Sequence, residues 1–360
     1  YGYTGSVKFE PYQAVTTYKY TTDFLGYTGV GAIPMGMANP DLKWQTTKKF
    51  NVGLTSSFFD DRLNINLDYY KERTSDMVID MTLPPSSGST SIKANLGSQD
   101  SHGFEFSVWG KIIRTKDWEW NLSANGLYSR STIKNISEAL KRRTEMNASS
   151  NISAPPLQQY REGESPSAIY AVRSAGIDPA SGKEIYIKKD GSYTFKYDSK
   201  DMVSCGDTNP DLQGSFSTQL SYKRFSMNMY FSYRFGGEMF NSTRMAKVEN
   251  INPRYNCDLR AFTERWKKPG DVVPYLDISL TGGSSYTYSD RFVEKDNELW
   301  LSSLYFQYDV PMDILKRFNI QKLYVGLGTE DLFRLTSAKY ERGTSYPFSR
   351  TVNMSLSVTF

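Results

Sequence analysis

Read in steps of two, residues 43–58 place Phe50, Val52, Leu54 and Phe58 on one face and Lys49, Asn51, Gly53 and Thr55 on the other. That period belongs to a β-strand, whose successive side chains point to opposite faces. Past Asp60-Asp61 the alternation resumes, with Leu63, Ile65, Leu67 and Tyr69 set against Asn64, Asn66, Asp68 and Tyr70, so the two runs predict a hairpin. A second hairpin sets Phe104, Phe106, Val108 and Ile112 against Glu105, Ser107 and Trp109, turns at 114–117, and returns through Trp118, Trp120, Leu122, Ala124 and Tyr128. A third passes from Phe216, Leu220 and Tyr222 over Lys223-Arg224 to Phe225, Met227, Met229, Phe231, Tyr233 and Phe235. A fourth joins Trp300, Leu304, Phe306 and Tyr308 to Leu323, Val325 and Leu327 through 311–318, and a last strand carries Val352, Met354, Leu356, Val358 and Phe360.

The connections between hairpins are of another kind. Roughly 6–42, 82–91, 133–209, 241–295 and 334–346 are mostly long and rich in Ser, Gly, Asn, Pro and charge. Within 133–209, Ala168–Val172 and Glu184–Lys189 followed by Asp190-Gly191 predict small strands with a turn.

Alternation alone does not separate a membrane barrel from a soluble β-sandwich, because both have one wet and one dry face per strand. Strand length, the alternation of short turns with long loops, and aromatic residues gathered near strand ends favour the barrel. A lipid-facing sheet must close on itself to pair its backbone. With about nine full strands and a stub at Tyr1–Gly5, residues 1–360 are expected to supply the C-terminal portion of a larger transmembrane antiparallel β-barrel, the remaining wall coming from upstream sequence or another chain.

Composition narrows the function. Tyr, Phe and Trp make up 14% of residues, and the formal charge of +4 comes from 43 basic and 39 acidic residues spread along the chain, without the basic block that tracks a nucleic-acid backbone. His102 is the only histidine and Cys205 and Cys257 the only thiols, which argues against a metal site, a cofactor or His-dependent catalysis. The acids Asp60, Asp61, Asp76 and Asp80 invite comparison with a two-carboxylate glycosidase, but Asp60-Asp61 reads as a turn and no cleft motif surrounds the others. No run of about 18 apolar residues marks a transmembrane helix, and the N-terminus lacks a signal-peptide pattern. The chain is not expected to be an enzyme.

Asn39–Trp44 reads NPDLKW, a strand and turn follow, and then LDYYKERTSDMV. Here the sequence resembles the SusC/RagA class of TonB-dependent outer-membrane transporters of Bacteroidetes. The resemblance extends through YGYTG at the start, ANLGSQDSHGFEFSV (94–108), REGESPSAIYAVRSAGIDPASGKE (161–184), residues 206–241, RWKKPGD (265–271), residues 289–311 and YPFSRTVNMSLSVTF (346–360). It implies a barrel of about 22 strands with an N-terminal plug, energised by the TonB complex and covered by a SusD-like surface lipoprotein. The implied activity is import of a glycan, oligosaccharide or peptide, and the plug and TonB-binding segment are expected outside this sequence. One departure is Asp331 before Leu332-Phe333, where the class leads one to expect Asn.

On this reading Asp68, Tyr70, Glu105 and Trp109 face the lumen, where they line a path or simply hydrate the interior. Tyr170, Trp266, Tyr275 and Tyr286 lie in loops, where they could stack on sugar rings, contact the lid, or pack the loops themselves. Cys205 and Cys257 both fall in external loops, and a disulfide and two free thiols are both open. His102 reads as a solvated residue, and Asn147 and Asn151 as chance matches to a glycan acceptor pattern. Phe360 is expected to serve as the C-terminal insertion signal and to cap the lipid face. Two other functions compete with import: a soluble or surface-anchored β-sandwich that binds carbohydrate, and a passive porin-like barrel.

Overall fold

Ten strands pair in chain order into one antiparallel sheet: β1 (Gly2–Ser6), β2 (Gln45–Phe58), β3 (Leu63–Ser75), β4 (Gly97–Arg114), β5 (Trp118–Ile136), β6 (Leu212–Tyr222), β7 (Phe225–Phe235), β8 (Glu298–Asp309), β9 (Lys322–Thr336) and β10 (Val352–Thr359). The computed structural model describes residues 1–6, 15–26, 29–82, 91–95, 97–149, 159–251, 257–280, 287–338 and 350–360. Nine full strands and a short first one agree with the alternation. Strand β1 pairs with β2 and β10 with β9, but the two edges do not pair with each other, so the described sheet is part of a barrel wall.

Register carries the alternation across the whole wall. One row runs Leu54, Leu67, Phe106, Gly126, Gly214, Tyr233, Leu299 and Leu335. The next runs Gly53, Asp68, Glu105, Leu127, Gln213, Arg234, Glu298 and Thr336. The first face is apolar and uncovered, with Leu54 59% and Met354 76% exposed, and no second sheet packs on it among the described residues. A β-sandwich would bury this face, whereas a barrel turns it toward lipid. Where Gly126 and Gly214 leave it bare, the Phe106 ring and Tyr233 lie across the gap. The Tyr233 hydroxyl donates to the Asn125 carbonyl at 2.8 Å, so it brings no unpaired polar group to the lipid side.

Aromatic side chains mark both ends of this face. At the short turns Trp118 meets Tyr222 at 4.3 Å between ring centroids and Phe225 meets Tyr308 at 4.7 Å. Toward the loops a row runs Tyr69, Phe104 and Tyr128, with Tyr233 and Phe235 beyond. Trp118 and Tyr128 are ten residues apart on β5, about 34 Å at ~3.4 Å per residue and about 26 Å in height at a tilt of ~40°, the height of a barrel's apolar band.

Turn chemistry is local. Phe59, Asp60 and Asp61 all have positive φ, and the amide of Arg62 closes the turn on the Phe58 carbonyl at 3.1 Å. Asp331 has φ 49° and lies where β8 and β9 shift register, between Leu301 and Ser303. Asn and Asp share a tolerance for this left-handed conformation, so Asp331 meets the backbone demand of the bulge as well as the expected Asn would.

The connections carry structure that alternation alone misses. Helix α1 (Glu138–Ser149) follows β5, which runs on to Ile136, and strands Thr17–Gly26 and Gly29–Gly36 pair before β2. Four short strands, Tyr193–Thr194, Glu184–Ile187, Ala168–Ile177 and Met202–Asp207, form a separate sheet in that order, and the second and third are the small strands expected at Glu184–Lys189 and Ala168–Val172. All three clusters of buried hydrophobic residues lie in these connections or at the outer ends of wall strands.

Candidate functional site

The polar face of the wall is the first candidate. Asp68 and Glu105 are direct cross-strand neighbours, and neither has an ion-pair or hydrogen-bond partner among the described residues. Like charges placed directly opposite weaken a ladder, so two free carboxylates here are not explained by sheet stability. They border a pocket of about 630 Å³ whose lining includes Asn125, Gln213, Arg234 and Trp300. Tyr70 donates to Ser129 Oγ at 2.9 Å with the Lys49 ammonium 4.8 Å from its ring centroid, and Trp109 lies beneath Lys111 at 5.0 Å. The row therefore offers free acids at one end and hydroxyls, amides and an indole along it.

At its other end the row closes in an ionic cluster. Glu298, only 1% exposed, accepts two bonds of 2.6 Å from Arg334 and one of 3.3 Å from Arg234, which also binds Asp296. The Arg334 guanidinium lies 5.4 Å from the Trp300 ring centroid. Arg234, Glu298 and Arg334 were not singled out in the sequence. A signal was present, since all three occupy the polar step at the loop ends of successive strands β7, β8 and β9.

Beyond the strand ends the connections build a loop domain on its own buried core of Tyr170, Val172, Tyr186, Met202, Met245, Tyr288 and Phe292. Its centre is ionic. Arg291 donates through Nε to Glu184 at 2.7 Å, through Nη2 to Glu184 at 2.9 Å and Glu249 at 2.7 Å, and through Nη1 to Glu249 at 3.1 Å and the Pro274 carbonyl at 2.6 Å. All five guanidinium donors are used. Burial works against the Arg291 charge, but the hydrogen bonds and charges of Glu184 and Glu249 outweigh it and hold its pKa above the ordinary range. Burial raises the pKa of Glu249, with Arg291 opposing. A second buried guanidinium, Arg265, donates to the carbonyls of Val248, Glu249, Ala261 and Leu276, so it ties residues 248–276 together.

The loop aromatics divide. For Tyr170 and Tyr275, where sugar stacking, lid contact and loop packing are all open from the sequence, the rings are 1% and 3% exposed and sit in two different hydrophobic clusters, so they pack the loops and a ligand or lid cannot reach them. Their hydroxyls do not require the surface; that of Tyr170 donates to Glu164. Trp266 is half-buried against Gly182 and donates Nε1–H to the Pro179 carbonyl at 2.9 Å, pinning two loops together. Tyr286 lies outside the described residues. His102 is exposed on the outer face of β4, 6.5 Å from the Tyr128 ring, and Phe360 is exposed beyond β10. Among the described residues no group of His, Cys, Asp and Glu could hold a metal ion.

Cys205 and Cys257 are free thiols, which corrects the disulfide alternative. They serve different parts of the loop domain. Cys205 lies in the strand Met202–Asp207 with its thiol toward the carbonyls of Ala171 and Val203, whereas Cys257 packs against the cluster of Val248, Ile251, Ala261 and Tyr275. Burial pushes the Cys205 thiol up to about 11. Iodoacetamide at pH 8 should therefore label it roughly twenty-fold more slowly than an exposed cysteine, the loss of thiolate being partly offset by higher nucleophilicity. Timed labelling read by peptide mass spectrometry checks this, and a rate equal to that of the unfolded chain would refute it.

Comparison with known proteins accords with this geometry. Residues 4–251 match the family model for the TonB dependent receptor-like β-barrel. TonB-dependent receptor P3 of Formosa agariphila is 25% identical over 100% of this chain and 39% of its own length. TonB-dependent receptor SusC of Bacteroides thetaiotaomicron is 26% identical over 65% of this chain and 24% of its own. Among solved structures, the RagAB peptide importer in its closed-closed state superposes with a TM-score of 0.75 at 26% identity, covering 94% of this chain and 36% of that one. The chain thus spans about two fifths of the length of the Formosa relative. The chain belongs to the TonB-dependent receptor β-barrel family, and the partial wall it builds lies in the outer membrane.

Proposed function

We propose that the protein carrying this chain actively imports an oligomeric nutrient, an oligosaccharide or peptide, across the outer membrane. TonB supplies the energy, and a SusD-like lipoprotein covers the loop domain. The observation that carries this reading is the polar row through Asp68 and Glu105, two free carboxylates on a lumen face that also offers the amides of Asn125 and Gln213, the Trp300 indole and the Arg234 guanidinium. Such a surface suits hydroxyl- or amide-rich cargo, which exchanges its water for successive weak hydrogen bonds. A loop domain with its own buried core and ionic centre provides the rigid rim on which a lid can seat. The relatives support transport over catalysis: one structural neighbour is a peptide importer and one sequence relative is the TonB-dependent receptor SusC.

Uptake of labelled oligosaccharide and oligopeptide pools by cells expressing the protein, with and without TonB, tests the reading. Uptake should disappear in the TonB-deficient strain; persistence there would identify a passive pore. Asp68→Asn/Glu105→Gln should raise the half-saturating concentration of the imported pool at least about five-fold, the effect of losing hydrogen bonds to charged groups, while barrel levels stay unchanged. An unaltered half-saturation would remove these carboxylates from the path.

A further inference from the structure

The outer face of β2 to β5 carries a charge arrangement that import does not use. Directly above the aromatic row of Tyr69, Phe104 and Tyr128, one two-residue step toward the loops, register aligns Lys71, His102 and Arg130 on adjacent strands. One step further Lys48 stands opposite Arg73, and Arg73 opposite Asp100. Lys134 joins them with its ammonium 4.0 Å from Asp100. Two acids reach this group: Asp100, bound by Arg73 at 2.6 Å, and Asp211, bound by Arg130. Lys48 and Lys71 are exposed and have no ion-pair partner among the described residues.

Two physical arguments turn this patch into a site. Like charges directly opposite one another in a ladder cost stability, and Lys48 stands so against Arg73; with Arg73 bound to Asp100 and Arg130 to Asp211, the ammonium groups of Lys48 and Lys71 are the ones left for an outside anion to offset. The aromatic row also fixes depth. Tyr and Phe at this position mark the boundary between acyl chains and headgroups, and one step of two residues, about 6.8 Å along the strand, brings the cations to the headgroup layer. The patch is local: the loop ends of β7 to β9 present Phe235, Leu299 and Leu335 on the same face. Since the long loops are external, this is the outer leaflet.

We propose that this face binds a phosphate-bearing glycolipid of the outer leaflet, its phosphates among Lys48, Lys71 and Arg73 and its acyl chains against Tyr69, Phe104 and Tyr128. The site depends on the orientation of the barrel and not on what it imports, so failure of the import reading leaves it standing.

The test uses the protein carrying this chain, purified in a non-ionic detergent, and native mass spectrometry with added bis-phosphorylated lipid A. Lys48→Gln/Lys71→Gln removes two exposed charges without touching an ion pair, and at the strength of a surface cation near an anionic headgroup it should weaken binding about 30-fold. Lipid A stripped of its phosphates should bind wild type and variant equally weakly. Equal affinity of the two proteins for the bis-phosphorylated lipid would overturn the proposal, as would equal binding of the dephosphorylated one. Displacement by millimolar pyrophosphate would identify a simple anion site, and phosphatidylglycerol binding as tightly with the same loss in the variant would mark a general anionic-lipid belt; either result would overturn it.

Discussion

Arg291→Met should open the loop domain while leaving the wall intact. The substitution removes the only cation among the described residues that bonds both Glu184 and Glu249 through its side chain, and these acids are 3% and 1% exposed. Removing one partner of a buried ionic group typically costs about 3–5 kcal/mol, because the remaining charges stay desolvated and uncompensated. Two carboxylates are stranded here, along with the Pro274 carbonyl, so the upper part of that range is expected. Hydrogen exchange should show protection lost at Ala168–Ile177 and Met245–Glu249, which meet in one core, but retained in β6 and β7, whose bonds belong to the wall. Arg291→Lys should rescue little, since one ammonium cannot reproduce five donors held in a planar fork. Replacing the whole centre, Glu184→Leu/Glu249→Leu/Arg291→Met, should recover most of the stability, because no buried charge is left unpaired. Loss of less than about 1 kcal/mol in the single variant, or equal loss in the wall, would contradict the assignment.

That centre also marks where reading the sequence stops. Arg291 lies 107 residues from Glu184 and 42 from Glu249, and each is one charged residue among many in loops of mixed composition. Nothing local distinguishes them from solvated side chains. The same holds for Tyr170 and Tyr275: composition marks them as aromatic residues in loops, and only the tertiary fold decides that their rings fill cores. The wall is different because its information is local and periodic. Once Phe50, Val52, Leu54 and Phe58 are assigned to one face, register carries that face through every neighbouring strand, and Asp68 and Glu105 must fall on the other. Arg234, Glu298 and Arg334 lie between these cases. Their face follows from alternation, but their convergence on one carboxylate needs the register of β7, β8 and β9.

Met229→Arg and Asn228→Arg should differ by about 2–4 kcal/mol although they are adjacent in sequence. Met229 opposes Thr218 and Leu304 on the apolar face, four residues from both Phe225 and Tyr233, and therefore lies near the bilayer midplane. An arginine there must enter hydrocarbon or distort the lipid around it. Asn228 opposes Gln219 and Tyr305 on the polar face, where a guanidinium stays hydrated and should cost almost nothing. The comparison holds chain position, hairpin and introduced side chain nearly constant, so the difference isolates the face. Reversible denaturant unfolding in phospholipid vesicles measures it. A depth series completes the argument: Phe235→Arg, at the aromatic boundary, should cost only about 0–1 kcal/mol, since the charge can reach the headgroups. A soluble sheet whose apolar face was covered by protein would also penalise Met229→Arg, but its penalty would follow packing and not depth, and it would not change with the lipid. A cost at Phe235 equal to that at Met229 would therefore count against the membrane wall, whereas a gradient centred on Met229 places its midplane there.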